Sequence, residues 1–166
     1  MLIITGCLLL GIYFGKKYRQ RLDELRELER ILNYIQGEIK YKHSILSDAF
    51  FNVSERCREP FRSWLSLLGE ALTKKGNNES FFDLWEISIE YLKRNSALKD
   101  ADYKELFALG QAFSNADIES QDKSVCYERE IIHSRVIDLD KDMGNRMKTS
   151  VVFGGLTGIL IVVILL

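Results

Sequence analysis

The chain has 166 residues, 46% hydrophobic and 28% charged, and its 23 Lys and Arg against 24 Asp and Glu leave a formal net charge of −1. That length suits one domain, and the interspersed charges create no field that would draw it onto nucleic acid, so a nucleic-acid role is unsupported. Cys7, Cys57 and Cys126 form no C-x-x-C pair, which argues against a disulfide framework and for reduced, buried thiols in a cytosol-facing domain.

The averages conceal a segregation. Every charged side chain lies between Lys16 and Lys148, so the first 15 and last 18 residues carry none. The N-terminal run 1–15 (MLIITGCLLLGIYFG) is followed at once by Lys16, Lys17, Tyr18, Arg19 and Arg21. At 1.5 Å per residue it covers about 22 Å of a roughly 30 Å hydrocarbon core, so a transmembrane helix here recruits Tyr18 and lets the lysine heads snorkel. Its basic residues follow the apolar stretch instead of preceding it, which favours an uncleaved anchor over a signal peptide.

Beyond the anchor, Leu22, Leu25, Leu28 or Glu29, Leu32, Ile35 and Ile39 form one stripe on a helix continuous with the span and reaching about Tyr41. Ser44 caps a second helix with Asp48 in its first turns and Ala49, Phe50, Val53 and Cys57 inside. Pro60 opens a third, burying Phe61, Trp64, Leu65, Leu68, Ala71 and Leu72, and residues 74–79 (KKGNNE) end it in a loop. Ser80 starts a fourth with Phe81, Phe82, Leu84, Trp85, Ile89 and Leu92. Asp100 or Asp102 starts a fifth with Tyr103, Leu106, Phe107, Leu109 and Phe113. Aromatics at this spacing are expected in the core.

A turn over 114–117 with Asp117 as N-cap leads into a long last helix through Val125, Ile132, Val136, Leu139, Met143 and Met147. It runs on into the apolar stretch 150–166 (SVVFGGLTGILIVVILL), which has no polar face and so reads as a second span. Gly11 and Gly15 in one span, and Gly154 and Gly158 in the other, make small-xxx-small steps where helix backbones can approach closely in lipid. The fold expected is all-α: an antiparallel bundle of about six helices over residues 16–149, flanked by transmembrane helices 1–15 and 150–166, with first and last helices paired as a stalk. Lys16, Lys17, Arg19, Arg21, Arg146 and Lys148 all flank the central domain, so the positive-inside rule puts that domain in the cytoplasm and both termini outward.

Catalytic and metal-binding patterns are missing. His43 and His133 have no Cys or carboxylate at ligand spacing, and no Gly-rich phosphate loop, G-x-S-x-G elbow or H-E-x-x-H helix occurs. No cofactor is expected, and the chain reads as a non-enzyme. Acidic residues beside apolar stripes, such as Glu38 beside Ile39, admit three roles: general acid, partner-docking carboxylate, or member of an internal ion pair.

A short apolar start followed by Lys16, Tyr18 and Arg19, a Leu-rich helix through Leu32 to Glu38, Ile39 and Tyr41, and then Ala49 resembles the opening of the stage III sporulation protein AB family. Leu109 and Gly110, Asp117 and Gln121, then Lys148, Gly154, Gly155 and an aliphatic finish resemble its C-terminal half. The chain departs from the family pattern at Ser44, Ile45 and Leu46, where Thr-Pro-Leu is usual, and at Ser114, where a Gly is usual; both are cap or turn positions.

The resemblance implies a membrane protein of the mother-cell complex that builds a secretion-like channel to the forespore, with a domain similar to the type II secretion F platform proteins. It implies the other membrane proteins of that complex and a cytoplasmic sporulation ATPase as partners, beside the lipid bilayer, and leaves a homo-oligomer open. Glu38, Tyr41, Asp117 and Gln121 match family positions and are the interface or turn-defining candidates. The alternative is a membrane-tethered regulatory or scaffold protein outside any secretion-like complex.

Overall fold

With a single proline in the chain, little interrupts helical hydrogen bonding. The computed structural model is all-α among the described residues: α1 (Leu2–Lys42), α2 (Leu46–Ser54), α3 (Phe61–Thr73), α4 (Phe81–Asn95), α5 (Asp100–Phe113) and α6 (Ile118–Leu165). The structure describes the backbone of residues 2–42, 45–74, 80–114 and 118–165, and the side chains of 16–40, 45–74, 80–114 and 119–143. The expected cap Ser44, turn residue Asp117, core residue Met147 and the span residues Gly11, Gly15, Gly154 and Gly158 lie outside the described side chains.

α1 and α6 are the longest elements, with 41 and 48 residues. They pair antiparallel, as expected, because contacts that climb one helix descend the other. Tyr18 Oη reaches the Leu139 carbonyl at 3.5 Å, Glu29 Oε1 meets His133 Nδ1 at 2.9 Å, Arg129 Nη1 donates to Asn33 Oδ1 at 2.9 Å, and Lys40 Nζ meets Asp122 Oδ2 at 3.2 Å. Beneath these polar contacts the stripe Leu22, Leu25, Leu28, Leu32, Ile35 and Ile39 is buried with Val125, Ile132, Val136 and Leu139 of α6. Leu28 takes the inward position. Glu29 lies at the margin, where it meets α6, and Ile31 joins the buried set.

The shorter helices gather around aromatic rings. α2 and α3 approach closely at Gly69, where a Cβ would stand 3.2 Å from the Ser47 carbonyl oxygen, so only a residue without a side chain accommodates this spacing unchanged. α4 begins at Ser80 with a capping box: Ser80 Oγ accepts from Phe82 N at 3.2 Å, and Asp83 Oδ2 accepts from Ser80 N at 3.3 Å. Lys93 and Arg94 close it where the helix dipole favours cations. Phe50, Trp64, Trp85 and Phe113 are buried and interlock, with Trp64 and Trp85 5.4 Å apart edge to face and Trp85 and Phe113 5.6 Å apart. Both indole N–H groups are satisfied, Trp64 by Ser88 Oγ and Trp85 by the Leu106 carbonyl, each at 2.9 Å. Several expected core residues are only half-buried, namely Ala71, Leu72, Phe81, Phe82, Leu84 and Phe107, because each lies toward the edge of its helix's apolar face.

Charged side chains hold the remaining joints. Asp102 of α5, 1% exposed, takes a two-pronged contact from Arg21 of α1 at 2.9 Å on each oxygen. It also accepts from Arg135 of α6 at 3.1 Å and from its own Lys99 N–H at 2.9 Å. Burial alone would raise this carboxyl, but the donors outweigh it and hold Asp102 below the usual carboxylate range. On α1, Glu24 accepts the Ala97 N–H at 2.6 Å and Glu27 accepts the Arg58 N–H at 3.1 Å, so two buried carboxylates pin the α4–α5 and α2–α3 connections. Burial leads in raising Glu24 above its ordinary value, against the hydrogen bonds from Gln20, Ala97 and Leu98.

Candidate functional site

The antiparallel pairing brings three of the sequence candidates, Glu38, Tyr41 and Gln121, to one end of the bundle. Glu38 and Tyr41 belong to the C-terminal turns of α1, and Gln121 to the first turn of α6. Asp117 and the Tyr41 side chain lie outside the described residues. Glu38 is 3% exposed and accepts a hydrogen bond from Asn52 Nδ2 at 3.3 Å, joining α1 to α2. Gln121 is 7% exposed and donates to the Phe113 carbonyl at 3.3 Å, satisfying one of the carbonyls that the end of α5 leaves open. Both are thus engaged inside the bundle.

The more accessible chemistry at this end belongs to residues that the sequence did not single out. Gln36 Nε2 donates to Asp122 Oδ1 at 2.7 Å and to Cys126 Sγ at 2.9 Å, while Lys40 takes the other Asp122 oxygen. The Gln36 hydrogen bond first, and then Lys40, hold the Asp122 carboxyl below its ordinary value. Arg129 completes the row on Asn33 Oδ1 and on Gln36 Oε1 at 3.3 Å. The spacing Gln36–Lys40 on α1 and Asp122–Cys126 on α6 puts each pair on one helix face. Only the pairing of the two helices makes them one cluster.

At the other end, beside the residues that follow the N-terminal apolar stretch, an open groove of about 820 Å³ lies between α1, the α2–α3 connection and the last turns of α4. Lys16, Arg19, Asp23, Arg58, Glu59 and Tyr91 stand on its walls, with both charge signs interspersed. Glu24 and Glu27 also border it; each spends one oxygen on a loop amide and the other on a side chain of α1, Gln20 for Glu24 and Arg30 for Glu27.

Among the described residues no group of three or more His, Cys, Asp or Glu side chains is placed to hold a metal ion. Cys57 is a free buried thiol that burial, reinforced by nearby Glu27, pushes up to about 12, so it stays protonated and inert at neutral pH. Cys126 is also free and half-buried. Among the described residues no helix is long and apolar enough to cross a membrane, and the uncharged ends where spans are expected lie outside the described side chains.

Three comparisons agree with one another. The family model for stage III sporulation protein AB matches residues 1–166. The stage III sporulation protein AB of Bacillus subtilis (strain 168) is 23% identical over 164 residues, covering 99% of this chain and 95% of that protein. A solved structure of a stage III sporulation protein AB superposes with a TM-score of 0.68 at 22% identity, covering 75% of this chain and 97% of its own, which establishes a shared fold.

Proposed function

From the premise that this chain belongs to the stage III sporulation protein AB family, we propose that it is a non-catalytic membrane platform of a sporulation-specific, secretion-like channel between mother cell and forespore. Residues 1–15 and 150–166 are the transmembrane helices in this reading. Residues 16–149 form a domain on the cytoplasmic, mother-cell side, and the domain docks a cytoplasmic ATPase.

The antiparallel α1–α6 pair is the observation that carries the reading. Because Tyr18 and Leu139 meet at the end of the pair nearest the uncharged stretches, both stretches leave the bundle side by side and reach one bilayer face. The basic residues at 16, 17, 19, 146 and 148 then lie at the lipid headgroups in this reading, while Arg21 is taken up by Asp102 inside the bundle. Gly11, Gly15, Gly154 and Gly158 let the two spans pack in lipid. In this reading the opposite end, which carries Glu38, Gln121 and the Lys40–Asp122 bridge, faces the cytoplasm and is the docking end, where the buried Glu38 and Gln121 shape the surface that their exposed neighbours present. Tyr41 and Asp117 remain interface candidates from the family resemblance alone.

Affinity purification of the detergent-solubilised protein from sporulating cells tests this directly. Co-purification of an ATPase, weakened by Lys40→Glu, is the expected result. Consistent absence of any ATPase, with the other membrane components of the complex still recovered, would sink the docking assignment.

A further inference from the structure

Glu128 of α6 is 6% exposed, and its Oε2 is buried without a hydrogen-bond donor. A buried carboxylate oxygen in that state is costly, and the more so if the group is charged. Its neighbour across the interface is the Glu105 carboxyl of α5, close enough for a hydrogen bond if one of the two carries a proton.

The surroundings make the balance explicit. From α5 come Asp102 and Glu105. From α6 come Glu128 and Arg135, whose guanidinium bridges Asp102 and Glu105. From α1 comes Arg21, bound to both oxygens of Asp102, while Glu29, which α1 also turns toward α6, is occupied by His133. Three carboxyls against two guanidiniums leave one negative charge too many in a buried junction, and one proton cancels it.

We propose that Glu105 and Glu128 share a single proton that latches α5 onto the α1–α6 pair, and that its loss loosens this junction of three helices. The proton sits between two carboxyl oxygens, so its departure leaves two like charges facing each other in a poorly solvated gap. Burial first, and then the facing Glu105, push the Glu128 carboxyl up to about 7. The latch therefore titrates near neutrality. It is independent of the membrane and channel assignments, since every group in it belongs to the described bundle.

A group whose proton is held more tightly in the folded state stabilises the fold fully below the ordinary Glu range and loses that contribution as pH rises through the folded value. The decisive experiment is urea unfolding of the full chain in detergent, followed by tryptophan fluorescence, at pH 5 and pH 8, for the natural protein and for Glu128→Gln. The folding equilibrium constant of the natural protein should fall on the order of 50-fold more between the two pH values than that of the variant. Equal falls would overturn the latch. If Glu128→Gln does not fold, infrared difference spectra of the natural protein decide: a protonated-carboxyl band present at pH 5 and bleached across neutrality is expected, together with its loss in Glu105→Gln. No such band in the natural protein would refute the shared proton.

Discussion

The ring cluster between α2, α3, α4 and α5 and the charged junction of α1, α5 and α6 are both buried, yet they are built on opposite principles. In the first, Phe50, Trp64, Trp85 and Phe113 fill space, and their only polar needs, two indole N–H groups, end on Ser88 and the Leu106 carbonyl. In the second, Arg21, Asp102, Arg135 and Glu105 hold three helices through charge. A packed aromatic layer is indifferent to pH and tolerant of salt but intolerant of shape changes. An ionic junction also depends on geometry, and in addition on protonation. The helices that run on to the uncharged ends, α1 and α6, are the ones the ionic junction grips.

That contrast is broken most severely at Trp85. Trp85→Ala removes the ring at the centre of the cluster and should cost about 3–5 kcal/mol, read as a fall in the urea midpoint with little change in slope. Gly110→Ala attacks the same layer from outside: its Cβ would stand 2.8 Å from Trp85 Cγ and closer still to Cδ1 and Nε1. A rigid indole cannot yield, so a loss of about 2–3 kcal/mol is expected, and a neutral result would show that the layer is looser than its geometry.

Asp102→Ala tests the ionic side. Two guanidiniums lose their partner, but both reach some water, so about 2–3 kcal/mol is expected instead of the larger loss of a fully buried pair. The pH signature distinguishes the two regions. Asp102 is held below the usual carboxylate range, so its contribution is present above that range and is lost as pH falls through its folded value. Asp102→Ala should therefore flatten the acid limb of a stability profile that Trp85→Ala leaves in place. Ser80→Ala, at the capping box of α4, should cost about 1 kcal/mol. Arg26→Ala at the exposed Arg26–Asp140 pair, 3.0 Å apart, should cost about 0.5 kcal/mol or less and vanish in high salt.

Apolar periodicity on α1 foretold its buried stripe, and the start of α4 was legible at Ser80, to which the structure adds Asp83 as the other half of a capping box. Asp100, not Asp102, begins α5. Asp102 is the residue that reaches back to the Lys99 N–H while receiving two arginines from distant helices. Glu38 stood out as an acid beside an apolar stripe, and its place beneath the surface against Asn52 explains that position. Glu105, Glu128, Gln36 and Asp122 gave no sign. Each is an ordinary polar residue on a helix, and its importance depends on a partner 86 residues away for Gln36 and Asp122, or on a neighbouring helix's register for the carboxyl pair.

The sequence by itself determined the helices, the segregation of charge away from both ends, and the face that each helix buries, because helical period and hydrophobic burial act within one turn of chain. The tertiary structure alone decided which charges meet. Coulomb and hydrogen-bond energies depend on separations of a few ångströms across helices. Those separations exist only once α1 and α6 lie antiparallel with α5 against them, and there Arg21, Arg135 and three carboxyls become a single junction.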